Sequence, residues 1–147
     1  MSYISSLKLR NFRCYRQVAL RDISPGLIAL HGPNGAGKTN VLEAISLLSP
    51  GRGLRGTKVT EMQCQSAGEP WAVAGTLGTD YGEVKLGTGL NAQSGKRSVR
   101  IQGQPVKSQA ALAEHLACVW LTPQMDRLFL DSAGHRRRFL DRLVFAF

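Results

Sequence analysis

The stretch that decides the fold runs from residue 27 to residue 48, LIALHGPNGAGKTNVLEAISLL. At its centre, Gly32–Thr39 has two glycines with four residues between them, followed by Lys and Thr, which is a phosphate-binding pattern. The short apolar run Leu27–Leu30 predicts a strand buried on both faces. Helical spacing in Lys38–Leu48 predicts a helix with one apolar face, formed by Val41, Leu42, Ile45 and Leu48. Strand, glycine loop and helix in this order predict a P-loop.

Each residue type in this loop has a physical task. Glycines allow backbone conformations that a Cβ would forbid, so that successive N–H groups can turn inward around a β-phosphate. The free N–H groups and the dipole at the start of the helix favour an anion. Lys38 supplies a positive charge for the β- and γ-phosphates, and the Thr39 hydroxyl can ligate Mg²⁺. We therefore expect the whole loop to bind a nucleoside triphosphate: Gly32, Pro33, Asn34, Gly35, Ala36, Gly37, Lys38 and Thr39.

Hydrolysis by a P-loop protein usually needs an acid at the end of another buried strand. Asp131 follows only three apolar residues, and Asp141 lies inside a helical pattern. We interpret Asp131 as a loop or helix-cap residue and Asp141 as an exposed helix charge. No catalytic residue is therefore assigned, and the chain by itself is expected to bind nucleotide weakly without turning it over.

The rest of the chain alternates apolar and polar residues over short stretches between Gly- and Pro-containing turns, which is typical of strands. Residues 51–69 have a weak pattern and predict a loop with at most a short helix. The predicted strands are Ile4–Arg10, Arg16–Asp22, Trp71–Leu77, Gly82–Gly87, Ser98–Ile101 and Val119–Leu121, and the predicted further helices are Gln109–Ala117 and Arg136–Phe147. These strands and helices predict an α/β fold.

Composition limits the function classes. The 147 residues include nineteen Lys and Arg against ten Asp and Glu, a formal net charge of +9, which favours a polyanionic partner such as nucleic acid. The alternative is that the basic clusters are solvated faces. Within one cluster, Arg97 and Arg100 are candidates for a DNA-contacting surface. Three separated cysteines and no run of about 20 apolar residues favour a cytoplasmic protein without a disulfide framework or a membrane span.

Three stretches carry a resemblance to a known family: LKLRNFRCYRQVAL at 7–20, HGPNGAGKTNVLEAISLLSPGRGLR at 31–55 and VWLTPQMDRLFLDSAGHRRRFLDR at 119–142. Together they resemble the N-terminal part of the RecF family of bacterial recombination mediators, whose ABC-type ATPase head is similar to those of Rad50 and the SMC proteins. The loop alone fits many ABC-type ATPases. GRGLR after the first helix and RRRFLD near the end make the resemblance more specific to the RecF family.

The resemblance implies a P-loop NTPase lobe of an ABC/SMC-like ATPase head, with a mixed parallel and antiparallel sheet and flanking helices. Residues 1–147 would be its N-terminal lobe, with the signature motif and the Mg²⁺-binding acid beyond Phe147. It also implies ATP and Mg²⁺ as cofactors and a role in DNA replication, recombinational repair and the SOS response. The implied partners are single-stranded or gapped duplex DNA, recombination mediator proteins and a second copy in an ATP-dependent homodimer, with recombinase loading at gaps as the outcome and no membrane involved.

The family comparison also implies three contacts outside the loop. Arg13 in NFR, Arg55 in GRGLR and Gln124 are the candidate nucleotide or DNA contacts. For Arg13 and Arg55 the alternative is a surface arginine. The alternatives for the whole chain are an OLD-family nuclease-type ATPase, a small P-loop kinase, and a structural DNA-binding module with a vestigial nucleotide site.

Overall fold

The structure, a computed structural model, describes residues 2–66, 68–128, 130 and 132–146. Asp131 and Phe147 therefore lie outside the described residues. The chain divides into two compact units, residues 1–116 and residues 117–147.

The first unit is built on one six-stranded sheet with the strand order β2-β1-β3-β4-β5-β6. Every pairing between these strands is antiparallel. The elements are β1 (Tyr3–Phe12), β2 (Tyr15–Leu20), α1 (Lys38–Ser46), β3 (Ala72–Thr79), β4 (Gly82–Leu90), β5 (Arg97–Ile101) and β6 (Gln104–Val106), with short 3-10 helices at Val59–Met62 and Gln109–Glu114.

The core lies on one face of this sheet, under α1. Period-two alternation places one set of apolar side chains on that face, and α1 adds its own apolar side chains to the same cluster. These buried residues include Leu7, Leu9, Val73, Leu77, Leu86, Ala44, Leu47 and Leu48. Gly75 of β3 allows the close approach, because a Cβ there would lie 2.5 Å from Cδ1 of Leu48. The helix that follows the glycine loop is thereby fixed to the sheet.

Most of the sequence-based elements are confirmed. The strands predicted at residues 4–10, 16–22, 71–77, 82–87 and 98–101 are present with bounds shifted by a few residues, and the first helix begins at Lys38 as expected. The α/β fold class is confirmed. The three-residue strand β6 was missed, because Gln104-Pro105-Val106 is too short to show alternation.

Two expectations for the sheet are wrong. Leu27–Leu30 is not a strand, and Leu27, Ile28 and Leu30 are 102%, 57% and 40% exposed. The sheet is antiparallel throughout the described strands rather than part parallel. Both differences have one cause. The backbone N–H and C=O groups of a strand need a neighbouring strand, and no described strand pairs with residues 27–30. The expected parallel part of the sheet is therefore missing from the described strands as well.

The second unit contains the 3-10 helix Pro123–Arg127 and the helix α2 (Ala133–Ala146). The strand predicted at Val119–Leu121 is wrong, because these residues have no pairing partner among the described strands. The ring of Trp120 instead lies 4.2 Å from the guanidinium carbon of Arg142, a cation–π contact. Asp141 is exposed on α2, as expected. None of the helices in the described part of the chain is long and apolar enough to cross a membrane.

Candidate nucleotide-binding site

The glycine loop adopts the conformation for which its glycines are needed. Gly35 and Gly37 have φ angles of +85° and +96°, in the region that side chains with a Cβ rarely adopt. Gly37 is the N-cap of α1, and its carbonyl accepts hydrogen bonds from the backbone N–H groups of Asn40 and Val41 at 2.8 and 3.1 Å. A Cβ on Gly37 would lie 2.8 Å from Sγ of Cys14, so the β1–β2 turn packs directly against the loop. The loop therefore leads straight into the positive end of the helix.

A cavity of about 330 Å³ lies over the start of α1. Its walls come from two parts of the chain, namely the loop with the first turn of the helix, and the segment that follows the helix. The lining residues are Asn34, Gly35, Gly37, Lys38, Thr39, Asn40 and Arg55. The cavity thus has two cationic side chains in its wall, together with the helix N-terminus.

Lys38 lies folded across the loop. Its Nζ donates hydrogen bonds to the carbonyl oxygens of Gly32 and Pro33, at 2.7 and 2.8 Å. These contacts hold the ammonium over the loop backbone, next to the cavity that it lines. An ammonium held only by neutral carbonyls can exchange them for a phosphate oxygen, which is the stronger, charge-assisted acceptor.

The donor set of the cavity suits a nucleotide-bound Mg²⁺. Mg²⁺ takes oxygen ligands, and in nucleotide sites most of them come from phosphates and water, with one or two from the protein. The exposed Thr39 hydroxyl lines the cavity and can supply one such oxygen. Among the described residues there is no cluster of three or more His, Cys, Asp or Glu side chains.

Arg13 is turned toward the protein. Its Nε and Nη2 donate to the two carboxylate oxygens of Glu43 at 2.8 and 2.6 Å. Nη2 also donates to the Thr57 hydroxyl at 2.7 Å, and Nη1 donates to the Glu61 carbonyl at 2.9 Å. The Arg13 side chain is 17% exposed. The alternative of a surface arginine is therefore wrong for Arg13, and its contact with nucleotide or DNA stays a prediction.

Arg55 binds the same carboxylate. Its Nη1 donates to Glu43 Oε2 at 2.6 Å and to Asn40 Oδ1 at 2.8 Å. The side chain is 36% exposed and lines the cavity beside Lys38. The structure therefore places Arg55 with the loop.

Glu43 was missed by the sequence reasoning. The predicted apolar face of α1 included Leu42, which is 48% exposed, whereas Glu43 next to it is completely buried. A signal was available, because an acidic residue adjoining buried helix positions needs a cationic partner. The sequence, however, could not indicate which of its nineteen Lys and Arg residues supply that partner.

Two other predicted contacts have separate outcomes. Gln124 is exposed in the 3-10 helix Pro123–Arg127 of the second unit, and its nucleotide contact stays a prediction. The prediction that Arg97 is a DNA-contacting surface residue is wrong. Burial lowers the pKa of its guanidinium to about 10, and the donors of that guanidinium are directed into the protein. Its strand neighbour Arg100 is exposed, as a surface role requires.

The sequence of residues 6–111, well over half of the chain, matches the AAA domain family. The chain belongs to that family. It is 47% identical over 147 residues to the DNA replication and repair protein RecF of Mesorhizobium japonicum, covering 99% of this chain and 38% of that protein. A second RecF, from Caulobacter sp., is 49% identical over 152 residues, covering 96% of this chain and 38% of that protein. The chain thus spans less than two fifths of the length of these relatives.

Comparison with solved structures also shows similarity to RecF. A recombination mediator protein RecF with bound ATPrS, described as part of the RecFOR pathway, superposes with a TM-score of 0.86 at 29% identity, covering 99% of this chain and 38% of that one. The SMC head domain from Thermotoga maritima superposes with a TM-score of 0.61 at 20% identity, covering 88% of this chain and 51% of that one, which supports the fold alone. The resemblance to the N-terminal part of RecF is confirmed.

Proposed function

We propose that this chain is the ATP-binding N-terminal lobe of a RecF-like ATPase head that acts in DNA replication and repair. The observation that carries the proposal is the cavity over the start of α1, where a glycine loop, a helix N-terminus and the cations Lys38 and Arg55 converge. A site with these donors suits a polyphosphate. The solved RecF structures to which the chain is similar are named for ATP and ATPrS.

In this proposal the loop binds the phosphates through its backbone N–H groups. Lys38 exchanges the carbonyls of Gly32 and Pro33 for oxygens of the β- and γ-phosphates. Thr39 supplies one oxygen ligand to the Mg²⁺ that accompanies the nucleotide. A bound Mg²⁺ would neutralise charge on the phosphates, and the chain's own residues hold and orient them.

Replacing Lys38 with Ala tests nucleotide binding. We expect ATP affinity to fall about ten- to a hundredfold, because one charge-assisted contact contributes roughly 1.5–3 kcal/mol. Titration of a fluorescent ATP analogue against folded wild type and variant gives the two dissociation constants. Lys58→Ala is the matched control, because Lys58 is exposed at the start of the neighbouring 3-10 helix and outside the cavity. Equal ATP affinity in wild type and Lys38→Ala would exclude this loop as the phosphate site.

DNA binding is the second part of the proposal, and one face of the sheet supports it. Across four adjacent strands, Lys8 of β1 lies in register with Ala74 of β3, which lies beside Gly87 of β4 and then Arg100 of β5. Lys8, Ala74 and Arg100 are exposed. Small side chains between two cations leave a surface that a phosphate backbone can approach, and phosphate contacts supply most of the sequence-independent affinity for DNA.

The salt dependence of binding tests this surface. We expect the affinity for a gapped duplex to fall steeply with salt, and Lys8→Ala with Arg100→Ala to reduce the log–log slope by about two. The measurement is fluorescence anisotropy across a salt series. Lys58→Ala, which removes a charge outside the strands of the sheet, serves as the control for net charge. A slope that is unchanged in the double variant would remove the sheet face from the DNA surface.

The remaining parts of the proposal are based on the full-length RecF relatives rather than on this chain alone. We propose that the protein acts in the cytoplasm with recombination mediator proteins, as an ATP-dependent homodimer that helps to load recombinase at gaps. The similarity of the chain to RecF proteins at 47% and 49% identity supports this reading over a nuclease-type ATPase or a small kinase.

A further inference from the structure

The most unusual group near the cavity is the carboxylate of Glu43. It lies on α1, five residues after Lys38, and its side chain is only 1% exposed. Oε1 accepts from Arg13 Nη2 at 2.6 Å, and Oε2 accepts from Arg13 Nε at 2.8 Å and from Arg55 Nη1 at 2.6 Å. A buried carboxylate needs such charged donors to remain ionised. One anion is therefore shared by two cations.

The two arginines use this carboxylate differently. All three guanidinium nitrogens of Arg13 donate to protein oxygens, and two of them form a fork on Glu43. For Arg55, only Nη1 donates to described oxygens, on Glu43 and on Asn40. Arg13 is 17% exposed, whereas Arg55 is 36% exposed and lines the cavity. Arg13 thus neutralises Glu43 from the protein side, and the positive charge in excess belongs to the arginine that faces the cavity.

The backbone that carries Arg55 is also fixed. The backbone N–H of Leu54 donates to the Ser46 hydroxyl at 2.7 Å, at the end of α1. Gly53 packs so closely on Leu47 that a Cβ at Gly53 would lie 2.7 Å from Cδ2 of that leucine. The remaining freedom of Arg55 lies in its side chain, and the hydrogen bond to Glu43 restricts that side chain.

We propose that Glu43 is a positioning residue for the nucleotide. It holds Arg55 at the cavity wall through Nη1, so that the other guanidinium nitrogens donate to the polyphosphate, while Arg13 keeps the carboxylate ionised and neutralised. This inference rests on the proposed ATP site and adds Glu43 to it as a residue that acts through Arg55. Restricting a long side chain before the ligand arrives removes part of the entropy cost of binding.

A double-mutant cycle tests the proposal. ATP and ADP affinities are measured by isothermal titration calorimetry for wild type, Glu43→Gln, Arg55→Ala and the double variant, each shown to be folded by circular dichroism at the assay temperature. We expect Arg55→Ala to weaken ATP binding about tenfold and Glu43→Gln about fivefold, whereas the double variant binds ATP no more weakly than Arg55→Ala. The preference for ATP over ADP falls in the same order.

A matched control separates positioning from the general loss of an ion pair. Glu69→Gln removes the carboxylate of another Arg–Glu pair, formed with Arg10 on the surface and outside the cavity, and should leave ATP affinity unchanged. If Glu43→Gln does not fold, Arg55→Lys replaces it, because lysine retains the charge but cannot use one nitrogen for Glu43 and others for phosphate. We expect that variant to bind ATP about fivefold more weakly than wild type.

The possible outcomes separate the positioning role of Glu43 from the proposed ATP site. A loss of ATP affinity on Glu43→Gln that persists unchanged in the Arg55→Ala background would overturn the positioning role, since Glu43 would then act through the fold. Tighter ATP binding by Glu43→Gln would also overturn it, because Glu43 would then compete with phosphate for Arg55. Arg55→Lys with wild-type affinity would overturn it too. Absence of ATP binding by the wild type overturns the proposed function itself, whereas binding that is lost in Lys38→Ala but unaffected in Glu43→Gln overturns this inference alone.

Discussion

The two segments that flank the loop and its helix differ in how they are held. Residues 27–30 precede the loop, pair with no described strand and expose their apolar side chains. Residues 51–55 follow the helix, contain no regular element, and yet are tied to α1 and β5 by several hydrogen bonds. The apolar segment is exposed and the glycine-rich segment is anchored, the reverse of what composition suggests. Hydrogen-bonding partners, rather than hydrophobicity alone, decide whether a segment is fixed.

The anchor of the second segment is Arg97 on β5. Its guanidinium donates to the backbone carbonyls of Leu47 and Gly51, the latter at 2.5 Å, and to the side chains of Thr88 and Gln109 at 2.8 and 2.9 Å. Carbonyls at the end of a helix carry partial negative charge, so a cation there is stabilising. Burial lowers the pKa of Arg97 to about 10, which still leaves it charged at neutral pH. One side chain therefore caps α1 and holds the segment that carries Arg55.

Among the substitutions that test how the two flanking segments are held, Arg97→Met should have the largest effect on stability. We expect the free energy of unfolding to fall by about 3 kcal/mol, because several charge-assisted hydrogen bonds are lost while the aliphatic stem is retained. Urea denaturation followed by tryptophan fluorescence measures the change. Arg100→Met on the same strand is the control, since Arg100 is exposed and should change stability by less than about 0.5 kcal/mol. Equal losses in both variants would mean that the network around Arg97 does not anchor the segment.

The exposed flank should give the smallest effect on stability. Leu27→Ser combined with Ile28→Ser should change the free energy of unfolding by less than about 0.5 kcal/mol, because these side chains are 102% and 57% exposed. The same change should reduce self-association of the 147-residue chain, since adjacent exposed apolar side chains favour it. Chemical denaturation and sedimentation velocity measure the two quantities.

Leu47→Ala provides the internal reference for this comparison. Leu47 is 1% exposed at the end of α1, and truncating a buried leucine costs about 2–5 kcal/mol. A loss of that size in the Leu27→Ser, Ile28→Ser variant would show that residues 27–30 are packed in solution, and the contrast between the flanks would disappear.

Much of the fold could be predicted from the sequence because its signals are local. Alternation of side chains predicted five of the six strands of the sheet, and the spacing of apolar residues placed the start of α1 at Lys38. The spacing of glycines in Gly32–Thr39 requires positive φ angles at a helix start, and Gly35 and Gly37 have them. The strand at residues 27–30 could not be decided in this way, because a buried strand depends on a neighbour that local sequence does not contain.

The sequence by itself determined the glycine loop, the helix that follows it and the basic character of the chain, since each depends on residue types and their spacing. Only the tertiary structure decided what the arginines do. Arg13 and Arg55 are 42 positions apart and meet on Glu43, and Arg97, 42 positions further along, caps the helix that carries that carboxylate. A buried charge must find its partner wherever the fold brings one within hydrogen-bonding distance, and neither composition nor periodicity records that distance.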